Sequence, residues 1–194
     1  MLTQLATLKT RLGIDEPDVQ FDAVLTNTLL ALSRRFDYVC NRTLARTVNA
    51  THEFDACDFE IIPPIYPIES VSKFETKSSE SEGWIEQTDV GYLIRGSCII
   101  TLSEALADSR QLARITYTGG YVLPGTTPSA GQTPLPEDIE QAAVEQAASW
   151  FQNRDKLGLT RNWPHEGTYQ QFLNLELLPD VKSALRPYIR WTLS

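Results

Sequence analysis

The hydrophobic period of this chain changes twice, and those changes limit its fold more than any single motif. From residue 19 to 46, Phe21, Val24, Leu25, Thr28, Leu29, Leu32, Phe36, Val39, Cys40 and Thr43 fall on one stripe. That is the spacing of a long helix with one apolar face. Asp22 in its first turn, and Arg42 and Arg46 in its last, suit the helix dipole. Near residue 48 the pattern becomes alternating and rich in β-branched and aromatic residues. Within "RQLARITYTGGY", Leu112, Arg114, Thr116 and Thr118 share one strand face, and Ala113, Ile115 and Tyr117 the other. The helical period returns at Pro136, with Glu137, Asp138 and Glu140 in the first turn. There Ile139, Ala142, Ala143, Ala147, Trp150 and Phe151 form one face, and Arg154 and Lys156 end the segment.

These changes predict an α+β fold: a small antiparallel helical bundle with a β-rich block inserted into it. Its long helices cover 19–46 and 136–157, and the alanines of the second allow close packing on the first. Residues 1–48 and 122–158 form the helical body, with a short helix over 2–12 stopped by Gly13. Residues 49–121, the strands running from about 50, form the insertion. Residues 159–194 form an extended C-terminal arm with a short helix. At 194 residues and 42% hydrophobic, the chain has material for a real core.

Composition excludes several functions. Net charge is −8, and residues 51–118 alone hold twelve acidic and five basic residues. That sign opposes stable binding to a phosphate backbone or an anionic membrane. No apolar run is long enough to span a bilayer, and the N-terminus has no signal-like apolar core. Cys40, Cys57 and Cys98 are scattered, and His52 and His165 stand far apart, so no metal site is expected.

Gly119-Gly120 follows a strand, as a phosphate cradle would. A phosphate loop also needs GxxxxGK[ST], and no lysine follows until Lys156. A dinucleotide fingerprint must open its helix directly, whereas a long proline-broken loop intervenes here. The pair reads instead as a strand end that needs positive φ. With GxSxG and calcium-loop spacing also absent, no catalytic residue and no cofactor are expected. An enzyme using His52 or His165 with a nearby carboxylate is the weakest reading. A ligand-binding β-block would rely on Trp84 and Tyr92.

Two segments suggest contacts with other chains. The loop 121–135 is long and polar beyond Tyr121, Leu123 and Pro124. The arm carries Trp163, Phe172, Leu177, Leu178, Tyr188, Ile189 and Trp191. These side chains pack either back on the helices or on another chain. Removing 179–194 is expected to leave the monomer folded and to impair ring or portal association.

Four stretches, in order, resemble the tailed-phage head–tail connector (head-completion, or neck adaptor) family. They are "LATLKTRLGIDEPDVQFDAVLTNTLLALSRRFDYVCNRTL", "IIPPIYPIESVSKFE", "ARITYTGGYVLP" with "LPEDIEQAAVEQAASWFQNRDKLGL", and "LLPDVKSALRPYIRW". Together they span roughly the whole chain, and their order and spacing carry the resemblance. The β-block is larger than in the compact all-helical members. The resemblance implies a structural virion protein, made in the host cytoplasm and placed at the head–tail interface. It implies a homo-oligomeric ring, commonly a dodecamer, under the portal protein. Such a ring extends the DNA channel, with DNA only in transit, and docks a downstream neck or tail-completion protein. The alternative is another virion or prophage binding module whose β-block recognises a ligand or protein partner.

Overall fold

A computed structural model describes residues 1–109, 111–154 and 176–190. The fold is α+β and divides into two compact units. One comprises Met1–Val39 and Pro136–Tyr188, the other Cys40–Leu135 and Ile189–Ser194.

The first unit holds α1 (Leu5–Leu12), most of α2 (Asp22–Cys40), α3 (Glu137–Gln152) and α4 (Pro179–Leu185), followed by a 3-10 turn at Arg186–Tyr188. Gly13, at φ 69°, ends α1 in the left-handed conformation that a side chain would strain. Buried Lys9 ties α1 to the start of α2: its Nζ lies 2.6 Å from Asp22 Oδ1 and donates to the Glu16 carbonyl at 3.0 Å. The Lys9–Asp22 contact is an ion pair by distance rather than an aligned hydrogen bond. α2 buries Leu25, Leu29, Leu32, Phe36 and Cys40. Val24, expected on that face, is exposed.

Both long helices are shorter than their periodicity suggests. α2 stops at Cys40 because Asn41 turns left-handed at φ 50°. Beyond it, Thr43 and Ala45 form parallel bridges with Ile65 and Tyr121, so 43–45 runs as bridged backbone rather than helix. α3 stops at Gln152, where polar side chains occupy its last carbonyls. Asn153 Nδ2 donates to the Ser149 carbonyl at 2.8 Å, and Arg154 Nη1 to that of Phe151 at 2.9 Å.

α3 buries Ile139, Ala142, Ala143, Val144, Gln146, Ala147, Ala148 and Phe151, a face too wide for one neighbour. The N-terminal segment lies along it, with Thr3 Oγ1 donating to Glu140 at 3.1 Å and Arg11 bidentate to Glu145 at 2.9 and 3.0 Å. The residues leading into α4 bond to Gln146, and the Phe21 ring, just ahead of α2, meets Phe151 edge-on at 5.3 Å. The small side chains of α3 thus serve α1 and α4.

Among its described residues the second unit holds nine strands: β1 (Thr47–Asp55), β2 (Glu60–Ile61), β3 (Ile68–Lys77), β4 (Ile85–Gln87), β5 (Tyr92–Arg95), β6 (Ile99–Leu102), β7 (Leu112–Gly119), β8 (Tyr121–Val122) and β9 (Thr133–Pro134). They form an antiparallel sheet in the order β1-β7-β3-β4, a second in the order β2-β6-β5, and a parallel β8-β9 pair. Central β7 alternates as its sequence does, with Ala113, Ile115 and Tyr117 fully buried. Ile115 and Tyr117 join a core with Ala50, Ile61, Ile68, Phe74, Ile100 and Leu102. The Tyr117 hydroxyl, inside that core, accepts the Ile65 N–H at 3.1 Å.

Candidate assembly surfaces

Gly119 and Gly120 are a crossing point of backbones. A Cβ on Gly119 would lie 2.8 Å from the Pro67 carbonyl oxygen and 2.9 Å from that of Ile65. One on Gly120, at φ 99°, would lie 2.6 Å from the Ala45 carbonyl oxygen. The Gly120 N–H already donates to the Pro67 carbonyl at 2.8 Å, so it is not offered to a phosphate.

The loop after the glycines is pinned at its base. Tyr121 pairs with Thr133 and Val122 with Pro134, and the Leu135 N–H donates to the Val122 carbonyl at 3.0 Å. Tyr121 itself is buried: its N–H donates to Leu44 and its carbonyl accepts from Arg46, both at 2.8 Å. Leu123 and Pro124 are half-buried at the loop base, and every residue from 125 to 131 is exposed. Of the loop residues singled out from sequence, Tyr121 therefore supports the chain's own fold.

The tail residues divide similarly. Leu177 is buried, together with Val181 and Leu185 of α4. Buried Gln146 of α3 holds this segment at both amide atoms: Oε1 accepts the Leu178 N–H at 2.7 Å, and Nε2 donates to the Glu176 carbonyl at 3.4 Å. Half-buried Tyr188 donates its hydroxyl to the Asp138 carboxylate, 2.9 Å from each oxygen. Residues 176–188 thus pack back on α3, one of the two alternatives that the sequence left open for the arm. Half-buried Ile189 precedes Arg190, whose N–H donates to the Cys40 carbonyl at 2.8 Å. Trp163, Phe172 and Trp191 lie outside the described residues, as does His165.

Trp84 and Tyr92, the candidates for a ligand site, are engaged within the β unit. Arg114 lies 4.2 Å above the Trp84 ring and donates through Nε and Nη2 to buried Glu75, at 2.9 and 2.7 Å. Lys73 Nζ reaches the other Glu75 oxygen at 2.8 Å. The Lys73 hydrogen bond, with Arg114 adding to it, holds the Glu75 carboxyl below its ordinary pKa. Tyr92 packs its ring on Phe74 at 5.3 Å. His52 is half-buried, and burial, aided by the Arg190 charge, lowers its pKa below the ordinary value. Burial raises the Tyr117 phenol to about 12, so it stays protonated at neutral pH, where His52 is neutral. Among the described residues no group of His, Cys, Asp and Glu could hold a metal ion, and no helix is long and apolar enough to cross a membrane.

Two features were missed from sequence. Arg42 is only 4% exposed, and its guanidinium stacks 3.2 Å from the Tyr66 ring centroid, with Tyr121 at 5.3 Å. Among the described residues its Nε and Nη2 have no hydrogen-bond partner, and the ring faces meet its charge. The other is the outer face of α2, where Leu30 and Tyr38 are exposed. The available signal was that both fall off the apolar stripe.

No protein-family model matches the chain, and no curated protein matches it. Its fold is similar to that of chains in solved structures of gene transfer agent particles. A protein of the neck of an empty gene transfer agent particle, computed with C6 symmetry, aligns over 97% of this chain and 90% of its own, at TM-score 0.56 and 14% identity. One from the neck of the native gene transfer agent particle, computed with C12 symmetry, aligns over 98% and 90%, at TM-score 0.55 and 14% identity. A third, from the virion of the native gene transfer agent particle, aligns over 97% and 89%, at TM-score 0.54 and 16% identity.

Proposed function

We propose that this chain is a structural head–tail neck protein of a phage-like particle, acting by assembly rather than catalysis. It forms a homo-oligomeric ring, a dodecamer under the portal protein, which extends the DNA channel and docks the next neck or tail protein. One observation carries the reading: both units together align over 97% of the chain with a protein from a particle neck. Similarity confined to one unit would have left the rest free for another role. The acidic excess of the β block fits a channel that DNA crosses without sticking. The exposed loop tip at 125–131 serves as a docking or channel-lining element.

The test is to purify the chain alone and with the portal protein of its own particle, measure mass, and image the complex by electron microscopy. A ring bound to the portal is expected. A chain that stays monomeric and never joins the portal overturns the proposal.

A further inference from the structure

We propose that the outer face of α2 is the surface on which a second copy of this chain docks. What it receives is the acidic turn between α1 and α2 of that copy. The inference rests on the ring reading and specifies which surfaces close the ring.

Opposite the buried residues of α2 run Ala23, Asn27, Leu30, Ala31, Arg34 and Tyr38, as the turn of ~100° per residue requires. Leu30 is 49% exposed and Tyr38 80%. A helix face meant for water carries mixed charges. This one carries Arg34, flanked by Arg35, as its charge, with Asn27 the one other strongly polar residue on it. Among the described residues neither arginine has an ion pair or a side-chain hydrogen bond.

At the opposite end of α2, the turn presents Asp15, Glu16 and Asp18, all exposed, next to Val19 at 70%. Among the described residues the Asp15 and Glu16 carboxylates have no cationic partner, Glu16 meeting Lys9 only through its backbone carbonyl, and the Asp18 carboxylate accepts the Gln20 N–H at 2.9 Å. The turn and Arg34 are about 18 Å apart along the helix, at ~1.5 Å per residue. A subunit therefore leaves both patches unpaired. They are opposite in charge, and each has an apolar neighbour. Pairing the α2 face with itself would set arginines against arginines. Pairing it with the turn of the next copy joins complementary patches and repeats head to tail, as a cyclic ring requires.

The test reverses each patch separately, as Arg34→Glu with Arg35→Glu in one chain and Asp15→Lys, Glu16→Lys and Asp18→Lys in the other. Sedimentation velocity should show each variant associating at least about tenfold more weakly than wild type. Thermal melts at low concentration should be unchanged. Mixing the two variants should restore association, because each then offers the patch the other lacks. If either reversal leaves association intact, or if mixing fails to restore it, the inference is overturned while the ring reading stands. A wild-type chain that forms no ring, with or without portal, overturns both. Should the Glu variant melt lower than wild type, Arg34→Gln with Arg35→Gln serves instead: weaker association supports the docking face and unchanged association overturns it.

Discussion

Glu75 shows how single residues stabilise this fold. It is buried between Lys73 and Arg114, and Arg114 also covers Trp84. Replacing Glu75 by Ala would leave two cations facing each other beside a desolvated site, at a cost of about 3 kcal/mol or more. Urea melts at pH 7 measure this. Because the folded pKa lies below the ordinary 4.5, the unfolded chain takes up the proton first as pH falls. The Glu75 contribution is therefore present above about pH 4.5 and lost as pH falls through the lowered folded value. The stability gap between wild type and Glu75→Gln should narrow over that window, and a gap constant with pH would contradict the pairing. His52 gives a second window. Its folded pKa lies below 6.5, so the unfolded chain again binds the proton first. Stability should fall as pH drops from about 6.5 toward the folded value, and His52→Gln should remove that slope from melts taken across this range.

At the scale of elements, the end of β7 and α4 each allow a decisive substitution. Gly119→Ala would push a methyl into two backbone oxygens that belong to neighbouring chain segments, so no rotamer can relieve it. A loss of about 2 kcal/mol or more is expected in denaturant melts, and a smaller one would show that the crossing is loose. Leu185→Ala in α4 should cost about 2–5 kcal/mol, as for a fully buried leucine. That outcome would separate a packed α4 from an arm that orders only on assembly. The same elements show what the sequence could reveal. The faces of β7 were legible because alternation in a strand is a local property, and the two glycines signalled a constrained turn without showing which backbones crossed there. The end of α2 was not legible, because Thr43 continues the apolar stripe while Asn41 has already turned the chain. The destination of α4 was hidden too. Its apolar residues were evident, but the Gln146 amide that anchors the segment lies 30 residues upstream of Glu176 and is an ordinary polar residue in sequence. For the same reason, the exposed loop 125–131 could be read directly, whereas the burial of Tyr121 depended on its backbone bonds to Leu44 and Arg46, far away in sequence.

For the molecule as a whole, the question is which surfaces the fold leaves for partners. The loop between β8 and β9 is built to hold a shape. Its base is paired, and its interior is crossed by the Thr126 N–H to Leu123 carbonyl bond at 3.3 Å and the Gln132 N–H to Ser129 carbonyl bond at 3.1 Å. The Ser129 N–H also donates to the Gln132 side chain at 2.9 Å. A plain connector between two elements has no need of this ordering, whereas a docking loop gains affinity from being set in advance. Replacing residues 126–130 with glycine and serine should therefore leave the melt within about 0.5 kcal/mol of wild type, because no buried side chain is removed. Ring formation through the α2 face should also persist. What should be lost is binding to one neighbour, either the portal or the next neck protein, measured by co-sedimentation with each separately. Retention of both partners would reduce the loop to a connection. Loss of the ring itself would instead move the subunit interface from α2 to this loop.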